Sequence, residues 1–387
     1  MTEWRECKLK DVCKYERISI NPQKYKILQF VHYSFPAFDN NKTPEIQFGG
    51  QIKSSKYIVK KGYILYNKLN VRFKRIWNIN FETPENSICS SEFLPILATK
   101  CNQDYLYYFL CSDELTDTMA NSNTGTSGSH QRIDPNFLMK YDILLPPLPE
   151  QKAIAEVLSS LDDKIDLLTR QNNTLEDLGQ AFFRKWFVED ADEKLKKYPL
   201  SELMVIQNGF AFRSRDYQDA GKYKIVTIKN VQDGFIDTSG TTFLNQLPVG
   251  MPDYVLLTIG DVLISLTGNV GRVGIVVEDN LLLNQRVAKI SPYNPEYLPF
   301  LYFYFRNETT REYLINLAHG TAQANLSPIE TLKTEVSFSK TLIKKYSELF
   351  MPMYQKIIKN KQQIIVLQKL RDTLLPKLIS GEIRVKM

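Results

Sequence analysis

The stretch PPLPEQKAIAEVLSSLDDKIDLL, residues 146–168, decides how the rest of the chain is read. Pro149 suits the first position of a helix, where no backbone N–H is needed, and Glu150 then faces the positive end of the helix dipole. Apolar residues recur at Ile154, Leu158, Leu161, Ile165 and Leu168, a spacing of 4, 3, 4, 3. That is the seam of a coiled coil, in which one apolar face returns roughly every 3.5 residues. The pattern continues through Asn172, Leu175, Leu178 and Phe182 to Trp186, with a slip in register near Leu175. A helix from Pro149 to Phe187 is therefore expected, about 58 Å long at ~1.5 Å per residue. Asn172 falls on the seam, where a buried Asn fixes register at some cost in stability. At a register slip it can equally well face solvent.

A second pattern of the same kind starts near Thr341 and carries Phe350, Met353, Ile357, Ile364, Leu367, Leu374 and Leu378. Gly381 is a plausible stop and Pro376 is expected to bend the last turns. What precedes each helix also repeats. Ile133-Asp134-Pro135 maps onto Leu326-Ser327-Pro328 at an offset of 193, Gly125-Thr126 onto Gly320-Thr321, and residues 143–145 onto 336–338. Upstream, residues 105–110 resemble 297–302 and residues 59–65 resemble 257–263. Each match is weak alone, but all occur in the same order, the mark of an internal duplication. The expected fold class is α+β: two similar segments in tandem, residues 1–146 and 189–340, each followed by a long helix, 147–188 and 341–387. The simplest arrangement pairs the helices as an antiparallel coiled coil with pseudo-twofold symmetry, a segment at each end of a rod. The alternative packs each helix on its own segment. Short β-rich runs at 57–59, 63–66, 224–228, 255–259, 262–266 and 274–277, with helices near 104–119 and 295–317, fill the segments.

Of 387 residues, 49 are Lys or Arg and 43 Asp or Glu, a net charge of only +6 that by itself announces no partner. Five cysteines (Cys7, Cys13, Cys89, Cys101, Cys111) include no CxxC pair, which suits reduced thiols better than a disulfide or zinc framework. The opening MTEWRECKLK lacks the apolar stretch of a signal peptide, and no apolar run approaches the ~18 residues of a membrane span. A cytoplasmic protein is expected.

The charge is unevenly spread. Residues 46–81 contain no acidic residue and hold Lys53, Lys56, Lys60, Lys61, Lys68, Arg72, Lys74 and Arg75, a local +8 interleaved with Tyr57, Tyr63, Tyr66, Phe73 and Trp77. Such a stripe suits a phosphate backbone; a solvated strand edge guarded by lysines reads the same way. In the second segment a Gly-punctuated loop, residues 265–274, carries Thr267, Asn269 and Arg272, and Asn284-Gln285-Arg286 follows. Asn and Gln pair bidentately with adenine and Arg with guanine in the major groove, although a plain hairpin would carry the same residues. Matched polar loops hold Thr126, Ser127, His130, Gln131 and Arg132 in one segment and His319, Thr321, Gln323 and Asn325 in the other. These residues are the candidates for phosphate or base contact, which suits the matched loops better than metal binding. No GxxxxGK[ST], GxGxxG or HExxH motif and no Cys/His cluster is present, so no catalytic or metal residue is expected. Asn294-Pro-Glu-Tyr297 resembles the (D/N)PP(Y/F) motif of amino-methyltransferases but has the wrong third residue.

Residues 144–165, leading to Leu178-Gly-Gln-Ala-Phe-Phe-Arg-Lys-Trp-Phe187, closely resemble the central region of specificity subunits of type I restriction–modification systems. Residues 370–383 are similar to their distal region, and Trp4–Val12, echoed at 198–203, to their usual domain opening. The second copy departs by lacking prolines before its helix. The resemblance implies two target-recognition domains, each binding one half of a bipartite asymmetric site in double-stranded DNA. It further implies helices that space these domains and dock two methyltransferase subunits carrying S-adenosylmethionine and the adenine-N6 chemistry. Restriction subunits add ATP- and Mg-dependent cleavage. No cofactor is expected in this chain. Two other classes compete: a non-catalytic coiled-coil scaffold binding protein partners, and a self-sufficient methyltransferase or nuclease, which the missing motifs argue against.

Overall fold

The computed structural model describes residues 3–40, 42–122, 132–190, 197–318, 324–337 and 339–385. Two compact units emerge, one built from Met1–Lys164 with Leu367–Met387 and the other from Ile165–Val366. Both include parts of two long helices: a central helix Leu148–Arg184, prolonged by a π-helical turn Lys185–Glu189, and a distal helix Lys340–Ile379. No helix among the described residues is long and apolar enough to cross a membrane.

In the first unit, strand Arg5–Lys8 pairs antiparallel with Asp142–Leu145, so the start and end of the globular segment meet. The main sheet runs in the order Cys13–Tyr15, Phe93–Ala98, Tyr63–Asn67, Ile76–Asn78, all antiparallel. Tyr63–Asn67 is buried along its whole length because successive side chains leave opposite faces of a strand. Ile64 and Tyr66 join a core with Tyr105 and Leu106 of helix Gln103–Leu110. Tyr63 and Leu65 instead pack with Tyr33, Trp77 and Phe93 beneath a second, five-stranded sheet.

Within the same unit the two long helices run antiparallel, since Glu150 meets Arg384 and Asp162 meets Arg371. The start of the central helix is pinned by buried polar side chains. Gln151 donates from Nε2 to the Pro146 carbonyl (2.8 Å) and accepts the Asn102 N–H on Oε1 (2.8 Å). Glu150, 1% exposed, accepts from Trp4 Nε1 (3.1 Å) and from the Arg384 guanidinium. Ile154 and Leu158 are buried in the core with Leu378; Leu161, Leu367 and Leu374 are half-buried.

The second unit repeats the frame. Lys197–Pro199 closes against Glu335–Ser337, and the sheet order Met204–Asn208, Val287–Pro292, Val262–Ser265, Val273–Ile275 copies the first four strands before two more, Gly234–Ile236 and Val231–Gln232, are added. Gly62 and Gly260 precede the matching inner strands at φ +94° and +93°, backbone angles that favour glycine. Asp134 and Ser327 each cap a short helix, accepting from Asn136 N–H and Glu330 N–H, with proline at the next position.

Here too the long helices are antiparallel: Asn172 meets Asn360, and Tyr346 donates from its hydroxyl to the Gly179 carbonyl (2.8 Å). Asn172 is buried and accepts from Asn360 Nδ2 at 2.9 Å, so it belongs to the seam rather than to solvent. Leu168 and Ile357 are buried, and Ile165 and Ile364 half-buried. Beyond the slip the buried inward positions are Asn172, Gly179 and Phe183; Leu178 lies on the exposed side, and Phe182 flanks the seam with its ring 5.6 Å from that of Phe350 on the distal helix. A Cβ at Gly179 would overlap the ring of Phe303, so the absence of a side chain is what admits that ring. Glu176 sits among Arg306 (2.5 Å), Lys361 (3.6 Å) and the Tyr302 hydroxyl (3.0 Å).

Three expectations differ in detail. The run 255–259 does not form a strand: Asp253–Val255 is a 3-10 turn and only Leu256 bridges to Leu282. The helix expected over 104–119 is two, Gln103–Leu110 and Asp113–Asn121. The helix expected over 295–317 breaks at Asn307, whose extended backbone (φ −65°, ψ 136°) ends Leu298–Arg306 and begins Glu308–Leu317.

Candidate nucleic-acid interface

In each unit three polar segments converge on the residue that follows the inner strand. In the first unit this residue is Lys68: its N–H donates to the Glu92 carbonyl (2.8 Å) and its carbonyl accepts from Ile133 N–H (3.1 Å), next to a bridge between Leu69 and Arg132. In the second it is Leu266: its N–H donates to the Arg286 carbonyl (3.2 Å) and its carbonyl accepts from Leu326 N–H (2.8 Å), next to a bridge between Thr267 and Asn325. The two junctions are built by the same backbone bonds, which do not depend on side-chain identity.

Around Lys68 the chain is held by Asn67, 1% exposed, whose amide donates to the Leu69 (3.1 Å) and Asn70 (3.3 Å) carbonyls and accepts Arg75 N–H (3.1 Å). Asn70 takes a left-handed conformation, φ +51°. The loop so fixed carries Arg72, Lys74 and Arg75. Arg72 and, further upstream, Lys53 are exposed and make no ion pair among the described residues. Lys74 is paired with Asp113, and Arg75 is gripped bidentately by Asp39 (2.8 and 2.7 Å) while lying over Phe35 and Phe73. Lys56 is turned inward, 7% exposed, with Nζ on the Ser54 hydroxyl (2.5 Å), because strand Lys56–Ile58 points that side chain into the unit. Burial lowers its pKa. The same cause, reinforced by Arg17 and Arg132 against the pull of Glu92, lowers that of Lys68. The sequence stripe is thus divided among exposed cations free to meet a phosphate, cations already paired with carboxylates, and Lys56, which is turned inward.

Arg132 is fixed by Glu92, Nε to Oε2 at 3.0 Å and Nη2 to Oε1 at 2.8 Å. Thr126, Ser127, His130 and Gln131 lie outside the described residues, as do His319, Thr321 and Gln323. In the second unit the turn after Val262–Ser265 is closed by Gly271 N–H to the Ser265 carbonyl (3.0 Å) and Ser265 N–H to the Arg272 carbonyl (2.9 Å), with Gly268 and Gly271 at positive φ. Asn269, Gln285, Arg286 and Asn325 are exposed there. Thr267, Arg272 and Asn284 are half-buried, and Arg272 Nη1 is engaged by Gln232 (2.9 Å). Sequence reading missed Glu92, whose partner lies 40 residues away, and Asn360, although its place between Ile357 and Ile364 completes the 3, 4 spacing. Among the described residues no group of three or more His, Cys, Asp or Glu could hold a metal ion.

Two copies of one α+β frame, each presenting a different set of polar side chains at one junction, define a class of recognition protein. The chain belongs to the type I restriction modification DNA specificity domain family, whose description fits residues 1–177 and again 192–365. This is a DNA-recognition role, not a catalytic one. Over 308 residues, 73% of this chain and 69% of the relative, it is 27% identical to the type I restriction enzyme MjaIX specificity subunit of Methanocaldococcus jannaschii. It is 22% identical, over 99% of this chain and 100% of the relative, to the HindI specificity subunit of Haemophilus influenzae. The crystal structure of a type I restriction–modification S subunit from M. genitalium has the same fold (TM-score 0.62, 17% identity, covering 97% of this chain and 96% of that one).

Proposed function

We propose that this chain reads a bipartite, asymmetric site in double-stranded DNA, one half-site per repeat, and holds the catalytic subunits of its complex over that site. The observation that carries the reading is the shared junction: equal backbones at Lys68 and Leu266 present unlike side chains, so the two repeats read unlike bases. Exposed Lys53 and Arg72 meet phosphates together with Lys68. Arg132 in one repeat and Asn269, Gln285, Arg286 and Asn325 in the other reach base edges.

The long helices act as the spacer between half-sites and dock two methyltransferase subunits, which bring S-adenosylmethionine and methylate adenine N6. Restriction subunits join the full complex with ATP and Mg. Leu167, Leu178, Val366 and Leu370, apolar yet exposed on the helices, suit such docking. The recognition domains correspond to residues 1–146 and 189–340.

Long-read detection of N6-methyladenine in cells with and without the chain tests the reading. A two-part motif present only with the chain is expected; methylation that does not depend on the chain contradicts it. Inserting about four residues, one turn, into each helix should lengthen the spacer element by ~6 Å and widen the gap between half-sites by one or two base pairs. An unchanged gap would remove the ruler role.

A further inference from the structure

The bidentate grip of Glu92 on Arg132 uses one edge of the guanidinium, Nε and Nη2. A guanidinium carries five N–H donors, so the other edge keeps one free donor on each of the two Nη atoms, side by side in a plane. That edge matches the O6 and N7 acceptors of guanine. The side chain of Arg132 is 56% exposed and that of Glu92 26%, so the carboxylate forms the footing and the guanidinium the outward tip. The footing is itself rigid, because the Glu92 carbonyl accepts Lys68 N–H and Arg132 bridges Leu69 at the junction. Holding a long, flexible side chain in place beforehand removes much of the entropy cost of base contact. The contact with Glu92 also holds that carboxyl below the usual carboxylate range, so the pair stays charged at neutral pH.

We propose that Arg132 is a specificity-determining residue that reads one guanine in the half-site bound by the first repeat, with Glu92 as the residue that positions it. The proposal rests on the reading of function given above and names the base class at one position. In the second repeat the equivalent places are held by Arg286, a cation where the first repeat has the Glu92 carboxylate, and Asn325, a neutral amide where it has Arg132. A guanidinium seated in advance on a carboxylate at this junction therefore belongs to the first repeat.

The test is the methylated motif in cells expressing the full chain with its own methyltransferase subunits, comparing wild type with Arg132→Ala, Arg132→Lys and Glu92→Gln. Arg132→Ala should lower discrimination at a single G·C pair by about five- to a hundredfold and leave every other position, including the whole second half-site, unchanged. Arg132→Lys should relax the same position, since it keeps the charge but loses the planar fork. Glu92→Gln should relax it to a smaller degree. The intact second half-site shows in the same reads that the variants fold and assemble. An unchanged motif in Arg132→Ala, retained specificity in Arg132→Lys, or a uniform loss of methylation at both halves overturns the proposal while leaving the two-half-site reading in place. A wild-type chain that produces no two-part motif overturns both.

Discussion

The junctions at Lys68 and at Leu266 share a backbone and little else. In the first repeat the surrounding positions are Lys68, Leu69, Glu92 and Arg132; in the second they are Leu266, Thr267, Arg286 and Asn325. One set is a charged cluster with a pre-set guanidinium, the other a looser group of an exposed Arg, an exposed Asn and a half-buried Thr. Backbone hydrogen bonds fix the frame, so side chains can diverge without loss of fold. The cores differ in parallel. A buried carboxylate, Glu150, pins the first unit at the start of the central helix, with Trp4 and Arg384 as partners. In the second unit Ser339 caps the distal helix, and the weight falls on an aromatic cluster around Phe183, Phe303, Tyr346 and Phe350, with Glu176 at its side.

The largest expected effect separates these two cores. Glu176→Ala leaves Arg306 and Lys361 as unbalanced cations in a site where all three side chains are at most 19% exposed, and should destabilise the second unit by about 3–5 kcal/mol. Hydrogen exchange should show faster opening of residues 298–306 with the first unit unaffected; equal loosening of both would mean the units do not differ in this way. Next, Asn325→Ala should relax one base pair of the second half-site by about 1–3 kcal/mol and spare the first, read from competition binding with single-base substitutions. Replacing Lys53 and Arg72 by Gln should weaken binding to all sequences and flatten log K against log salt by about 2. The same change at Lys74 and Arg75 should do less, because Asp113 and Asp39 already neutralise them. An equal effect from both pairs would contradict the division of the stripe.

The smallest effect exploits the cysteines, all five of which lie in the first unit. Burial pushes Cys13, Cys89 and Cys101 up to about 12 and Cys111 to about 11. At pH 8 these thiols are neutral and poorly nucleophilic until the unit opens. Reaction with a thiol reagent should therefore follow the first unit alone, and Glu176→Ala should leave its rate unchanged.

What could be read from sequence depended on how local the cause was. The seam from Ile154 to Leu168 follows from spacing alone, and the duplication from short motifs in the same order. Past Asn172 the inward face passes to Gly179 and Phe183, because Phe303 needs the space above a glycine, a contact more than a hundred residues away in sequence. Asn307 divides one apparent helix into two by its own backbone conformation, which the apolar pattern on either side does not reveal. At the interface the residue types were legible but their engagement was not. Lys56 turned inward to Ser54, Lys74 and Arg75 claimed by distant carboxylates, and Arg132 seated on Glu92 all depend on which segments the fold brings together.

The central claim is that one frame, used twice, reads two half-sites through its junction side chains. Each segment begins and ends on a closing strand pair, Arg5–Lys8 with Asp142–Leu145 and Lys197–Pro199 with Glu335–Ser337, so one can be exchanged for the other with its ends already adjacent. The most direct measurement is the N6-methyladenine motif produced by a chain in which residues 197–337 are replaced by a second copy of residues 5–145. The expected motif has two identical half-sites in inverted orientation, both matching the first half of the wild-type site. Persistence of the original second half-site would contradict the account.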